Sequence, residues 1–144
     1  MRIKILGILG TLICSANLSM ALAAESLEFQ GVMRDLGKHM QTVAGAIAVE
    51  DWSLVAKTSH MIGDHPKPSL VERARILSFV GTNMPKFKEF DHQTHEAAHE
   101  MEQAAAAGEG VQVINQYQKL QAGCLGCHQT FRASFVEHFY GTKK

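Results

Sequence analysis

From Val113 to Phe139 the residues Val113, Tyr117, Leu120, Cys124, Cys127, Phe131, Phe135 and Phe139 recur at steps of three and four. That spacing keeps them on one face of an α-helix, and the stretch predicts a single long helix from about 110 to a stop at Gly141. Two cysteines lie on this stripe three residues apart, and a histidine follows the second: Cys124-Leu125-Gly126-Cys127-His128. Residues three and four apart share a helical face, so two thiols and one imidazole leave the same side of the same helix. The stripe must pack against other helices, around whatever those three groups hold.

Two thiols at this spacing can each add across a porphyrin vinyl group, and the next residue supplies an imidazole for the iron, which makes the motif a covalent haem-attachment site. A redox dithiol of the thioredoxin kind belongs near a βαβ pattern, which this sequence lacks. A four-thiolate zinc site needs a second cysteine pair, and the chain has three cysteines in all. The remaining alternative is a chance pair on an amphipathic helix.

The third cysteine, Cys14, lies in the leader. Arg2 and Lys4 precede an apolar run from Ile5 to about Ile13, and Ala21-Leu22-Ala23 forms a small-x-small cleavage pattern. Residues 1–23 therefore read as a secretory signal peptide and 24–144 as one exported, periplasmic domain. A membrane anchor needs roughly 20 continuous apolar residues, and Ser15, Asn17 and Ser19 interrupt this segment. The bulky Ile13 argues against lipidation at Cys14. Cleavage removes Arg2 and Lys4 from a balance of 14 basic and 14 acidic residues. The mature chain is then slightly acidic, with no charge pattern for nucleic acid.

Helical periodicity continues through the rest of the chain. Phe29, Met33, Leu36, Met40, Val43 and Ile47 mark a first helix over about 27–49, and Asp51 is the N-cap of a second that ends at Gly63. Pro66 and Pro68 break the pattern. Ser69-Leu70-Val71-Glu72 has the form of a capping box and opens a short helix over about 70–80. Phe87, Phe90, Thr94, Ala97, Met101 and Ala104 mark a third long helix closing near Gly108. No segment alternates as a strand. Four long amphipathic helices with short connections predict an all-α, antiparallel four-helix bundle, with a short extra helix between the second and third.

The C-terminal position of the haem motif, with Phe131 and Arg132 behind Cys124, Cys127 and His128, resembles the class II c-type cytochromes, the cytochrome c′ family. The alanine-rich end of the third helix and the Gly108-Glu109-Gly110 turn are similar as well, so the likeness covers the whole mature chain. It implies one covalent haem c, with His128 as the proximal ligand and a residue of the first helix facing the other side of the iron. Matching the first helices puts Met33 at that distal position, with Met40 or a histidine as competitors. Met33 is about 9 Å from the start of the first helix and His128 about 16 Å from the end of the last, at 1.5 Å per residue, so both fall at one end of an antiparallel pair. Arg132 is a candidate propionate contact. Phe29 stands where many relatives carry an arginine, whose roles do not transfer.

A methionine on the sixth position implies an electron-transfer protein rather than an enzyme. Its partners would be redox proteins, and a homodimer through the first two helices is a further option from the resemblance. An apolar or displaceable distal residue would instead give a gas-binding cytochrome. A competing motif, His95-Glu96-Ala97-Ala98-His99 with His92 a turn earlier, matches the H-E-x-x-H zinc pattern. It has no third ligand at a metalloprotease spacing, and the expectation is a polar helix face that binds metal adventitiously at most. His60 and His65 read as solvated or capping residues, His138 has no assigned role, and Trp52 and Tyr117 read as core.

Overall fold

The computed structural model describes residues 27–141. The segment read as a signal peptide, residues 1–23, and with it Cys14, lies outside them. The order is α1 (Glu28–Ala48), α2 (Trp52–Gly63), α3 (Leu70–Val80), a 3-10 turn (Gly81–Asn83), α4 (Met84–Ala106), α5 (Gly110–Cys127), a π turn (His128–Arg132) and α6 (Ala133–Tyr140). The described residues contain no strand, and none of their helices is long and apolar enough to cross a membrane. Four long rods, α1, α2, α4 and the continuous α5 to α6, form the bundle, and α3 is the short extra helix.

Local chemistry sets the boundaries. Asp51 accepts the Leu54 N–H at 3.0 Å and starts α2. Pro85 sits in the first turn of α4, where its missing N–H costs nothing. Gly108, at φ 72°, lets the chain turn back so that the Gly108 and Glu109 N–H groups reach the Ala105 and Ala104 carbonyls. The expected capping box at α3 is only half formed. Ser69 Oγ accepts the Glu72 N–H at 3.4 Å, but the Glu72 carboxylate turns to α1 and accepts the N–H groups of Glu28 and Phe29.

Helix α1 packs on α2, α2 on α4, and α4 on α5. Two cores result. Val43, Val55, Ile62, Ala97, Ala98, Met101, Ala104, Ala105, Val113 and Leu120 belong to a tight aliphatic core. The alanines of α4 let its neighbours approach closely there. Trp52 and Tyr117 pack against this core. All 7 phenylalanines of the chain gather in the second cluster, with Leu27, Ile76, Val80 and Cys127. Helix α1 packs on α2 rather than on α5, and the side between α1 and α5 opens into a cavity lined by several of these rings.

The π turn corrects the expectation of one uninterrupted final helix. From Cys127 the stripe steps by four three times, to Phe131, Phe135 and Phe139. Each such step overshoots a 3.6-residue turn by about 40°, so a pure α-helix would swing Phe139 about 120° off the core. A π turn takes one extra residue and absorbs most of that drift. Phe131 and Phe135 both stay buried as a result.

Candidate functional site

The cavity between α1 and the last helix has a volume of about 500 Å³, inside the range of roughly 300–1,000 Å³ typical of cofactor pockets. Helix α1 contributes Phe29, Gln30, Met33, Arg34, Leu36, Gly37 and Met40. Phe87, Phe90, Asp91, Thr94 and His95 come from α4. The last helix adds Cys124, Cys127, His128, Phe131, Arg132, Phe135, Val136 and Tyr140, and His65 enters from the loop after α2. Cys124, Cys127, His128, Arg132 and Met33, singled out from the sequence, thus line one cavity.

Two glycines bring the thiols there. A Cβ at Gly123 would meet Thr94 Oγ1 at 2.9 Å, and one at Gly126 would meet the Phe90 ring at 2.5 Å. Helix α5 therefore lies directly on α4 along its Gly123/Gly126 edge, and Cys124 and Cys127 beside that edge point into the opening. Thr94 donates its hydroxyl to the Phe90 carbonyl at 2.8 Å, which keeps that wall polar-satisfied. Burial pushes the Cys127 thiol up to about 11, with Cys124 and the Asp91 carboxylate adding to the effect. Burial raises the Cys124 thiol too. Both sulfurs are therefore neutral thiols near pH 7.

The donor set suits a flat, largely apolar iron macrocycle with acidic substituents. Aromatic rings form the walls, two thiols stand beside an imidazole on one side, and two methionine thioethers lie on the facing helix. Arg34 and Arg132 offer guanidinium groups for carboxylates. The Tyr140 hydroxyl oxygen is buried without a hydrogen-bond partner among the described residues. Burial and the Glu72 carboxylate push its phenol up, so it remains a hydrogen-bond donor. Arg34 and Tyr140 were not predicted. Arg34 could have been noticed as the cation next to Met33; Tyr140 falls off the stripe and comes to the wall only through the π turn.

Met33 and Met40 both line the cavity, but they are not equivalent. Met40 packs against the aliphatic core, whereas Met33 belongs to neither hydrophobic cluster. Its sulfur is not needed to fill a core.

The H-E-x-x-H residues separate. His99 lies on Gly63, with its nitrogens 3.8 Å from Asp64 and 3.6 Å from Glu102, while Glu96 is 3.7 Å from His92. His95 instead uses Nδ1 on the Gly63 carbonyl and turns Nε2 towards Asp91. The residues that come together are His65, Asp91 and His95, not His92, His95 and His99. His65, expected to be solvated or capping, is half-buried, with its ring centroid 5.0 Å from that of His95. His60 is exposed between Asp64 and Glu102, as the solvated reading expects. His138 stacks on Phe79 at 4.7 Å. Trp52 lies over Gly110, and the Tyr117 hydroxyl accepts from Gln121 at 2.7 Å; neither lines the cavity.

A family model described as Cytochrome C' matches residues 28–132, from the start of α1 through the π turn. No curated protein and no solved structure matches the chain.

Proposed function

Since the chain belongs to the cytochrome c′ family and is a haem-binding c-type cytochrome, we propose that it is an exported electron-transfer protein of the periplasm. One covalent haem would take His128 and Met33 as its two protein ligands. Cys124 and Cys127 would hold it through two thioether bonds. When bound, the haem supplies one-electron Fe(III)/Fe(II) chemistry.

The protein's own residues define the rest. His128 and Met33 together would leave no ligand position for a substrate, so the protein carries electrons rather than performing catalysis. Thioether sulfur favours the reduced iron. The aromatic walls exclude water, Arg34, Arg132 and Tyr140 receive the propionates, and the packed bundle limits ligand movement when the charge changes. His128 and Arg132 are exposed at the rim, a surface across which redox partner proteins would exchange electrons.

One observation carries this reading: Met33 faces the cavity without being committed to either core. Visible spectra of the purified ferrous protein with and without carbon monoxide test it. A low-spin spectrum indifferent to carbon monoxide is the expected result; ready binding would replace the carrier reading with a gas-binding one. That second reading has an observation of its own. Gly31 and Gly37 flank Met33, and no close packing requires a glycine at either position. Each weakens the helix by about 1 kcal/mol relative to alanine, so α1 is locally easy to deform and a methionine there easy to displace.

A further inference from the structure

The cluster of His65, Asp91 and His95 plays no part in holding the haem as proposed above, and it is built differently from the other histidine contacts of the bundle. One ligand atom from each residue lies within 4.8 Å of the other two. His95 Nε2 and Asp91 Oδ1 are 3.7 Å apart, too far for a hydrogen bond. The separation is close to the roughly 3.3 Å between two ligands of a tetrahedral ion with bonds of about 2.0 Å.

The two imidazoles are also tethered. A carbonyl oxygen only accepts, so His95 Nδ1 carries the proton it donates to Gly63, and His65 Nδ1 likewise donates to Pro66 at 3.1 Å. In the neutral tautomers that these bonds favour, Nε2 is the nitrogen whose lone pair is left to coordinate. An Nδ1–H held by a backbone carbonyl is the usual outer support of a metal-bound histidine. Asp91 and His95 are four apart on α4, which fixes their spacing. His65 sits in a connection stiffened by Pro66 and Pro68. The His95–Asp91 separation equals that of the ordinary His92–Glu96 pair, so what sets the cluster apart is its second imidazole and the two carbonyl-held Nδ1 atoms, whereas the Nδ1 atoms of His60, His92 and His99 face carboxylates.

We propose that His65, Asp91 and His95 bind a divalent transition-metal ion, with water at the remaining position. Two imidazoles and one carboxylate select borderline ions such as Zn²⁺ and Cu²⁺ over Mg²⁺ and Ca²⁺, which prefer all-oxygen shells. Asp91 is exposed, so an ion can enter from solvent. Asp91, His65 and His95 line the same cavity as Met33 and His128, so the ion would bring positive charge into the haem pocket.

The test is calorimetric titration of Zn²⁺ into the tag-free, haem-loaded protein at neutral pH, with Mg²⁺ as the control ion. One Zn²⁺ per chain is expected, with affinity falling by about tenfold or more in His65→Ala, His95→Ala and Asp91→Asn. His92→Ala should bind as the parent does. Asp91→Asn keeps the shape of the side chain, so its loss of binding cannot be blamed on misfolding when the haem spectrum is unchanged. No Zn²⁺ binding, or unchanged affinity in His65→Ala, would overturn the proposal. Loss on replacing His99 but not His65 would return the site to the H-E-x-x-H residues. Conversion of a low-spin to a high-spin haem spectrum in His65→Ala would make His65 an iron ligand, which also rejects the site.

Discussion

Glu72 and Glu28 cap each other's helices. Glu72, only 6% exposed, accepts the Glu28 and Phe29 N–H groups at 2.8 and 2.6 Å, and the Glu28 carboxylate accepts the Ser69 N–H at 2.8 Å. Leu27, at the N-cap of α1, has no side chain able to do this. The start of the helix that carries Met33 is therefore held from α3, and the negative charge sits at the positive end of α1.

Glu72→Ala removes the acceptor for two N–H groups and is expected to destabilise the fold by about 2–4 kcal/mol, since hydrogen bonds to a charged group contribute roughly 1.5–3 kcal/mol each and do not add fully. Glu72→Gln should lose less. Urea denaturation of the haem-loaded protein measures both. A change below 0.5 kcal/mol in Glu72→Ala would show that the interlock contributes little.

Gly126→Ala should be destabilising although alanine is the better helix former by about 1 kcal/mol. The added methyl would stand 2.5 Å from the Phe90 ring, between Cys124 and Cys127 in the chain. Overpacking of this kind costs about 1–3 kcal/mol, enough to outweigh the gain in propensity. A lower thermal midpoint together with a changed haem absorption band is expected. A higher midpoint with an unchanged band would mean that Phe90 rotates away freely.

Met33→Leu should open a carbon monoxide site in the ferrous protein and turn its spectrum high-spin. In the haem-free protein stability should change by less than about 1.5 kcal/mol, because the swap nearly conserves volume and Met33 is not a core residue. Met40→Leu, in a residue packed on the aliphatic core, should leave the spectrum low-spin. The opposite pairing of results would make Met40 the ligand.

Much of this architecture was legible because it depends on local pattern. The Asp51 and Ser69 caps, the Pro66-Pro68 break and the 3.6-residue stripes are all encoded within a few residues of where they act. What was missed depends on contacts across the chain. Ser69 to Glu72 reads as a self-contained box, yet the more favourable partner for Glu72 was an uncapped helix 44 residues away in sequence. The histidines of α4 divide by what α2 offers them: a Gly63 carbonyl for His95 and the Asp64 carboxylate for His99. The π turn lay between these extremes. Three successive steps of four from Cys127 to Phe139 announce a drift, but only packing decides that an inserted residue, rather than exposure of Phe139, relieves it.

The thiols give a pH signature. Cys127, with a folded pKa of about 11 against a reference of 9.0, keeps its proton between those values while the unfolded chain gives it up. The native state then binds more protons than the unfolded one, so stability must fall as pH rises from about 9 to about 11. In haem-free protein, Cys127→Ala should lessen that fall, measured as the difference in urea midpoint between the two proteins. Only thiolate reacts with an alkylating agent. At pH 8 the folded thiol should therefore be modified about a hundredfold more slowly than the urea-unfolded one. Equal alkylation rates would show that the thiol is not buried. Once Cys127 is a thioether it has no proton to lose, and its share of the alkaline destabilisation should disappear from the haem-loaded protein.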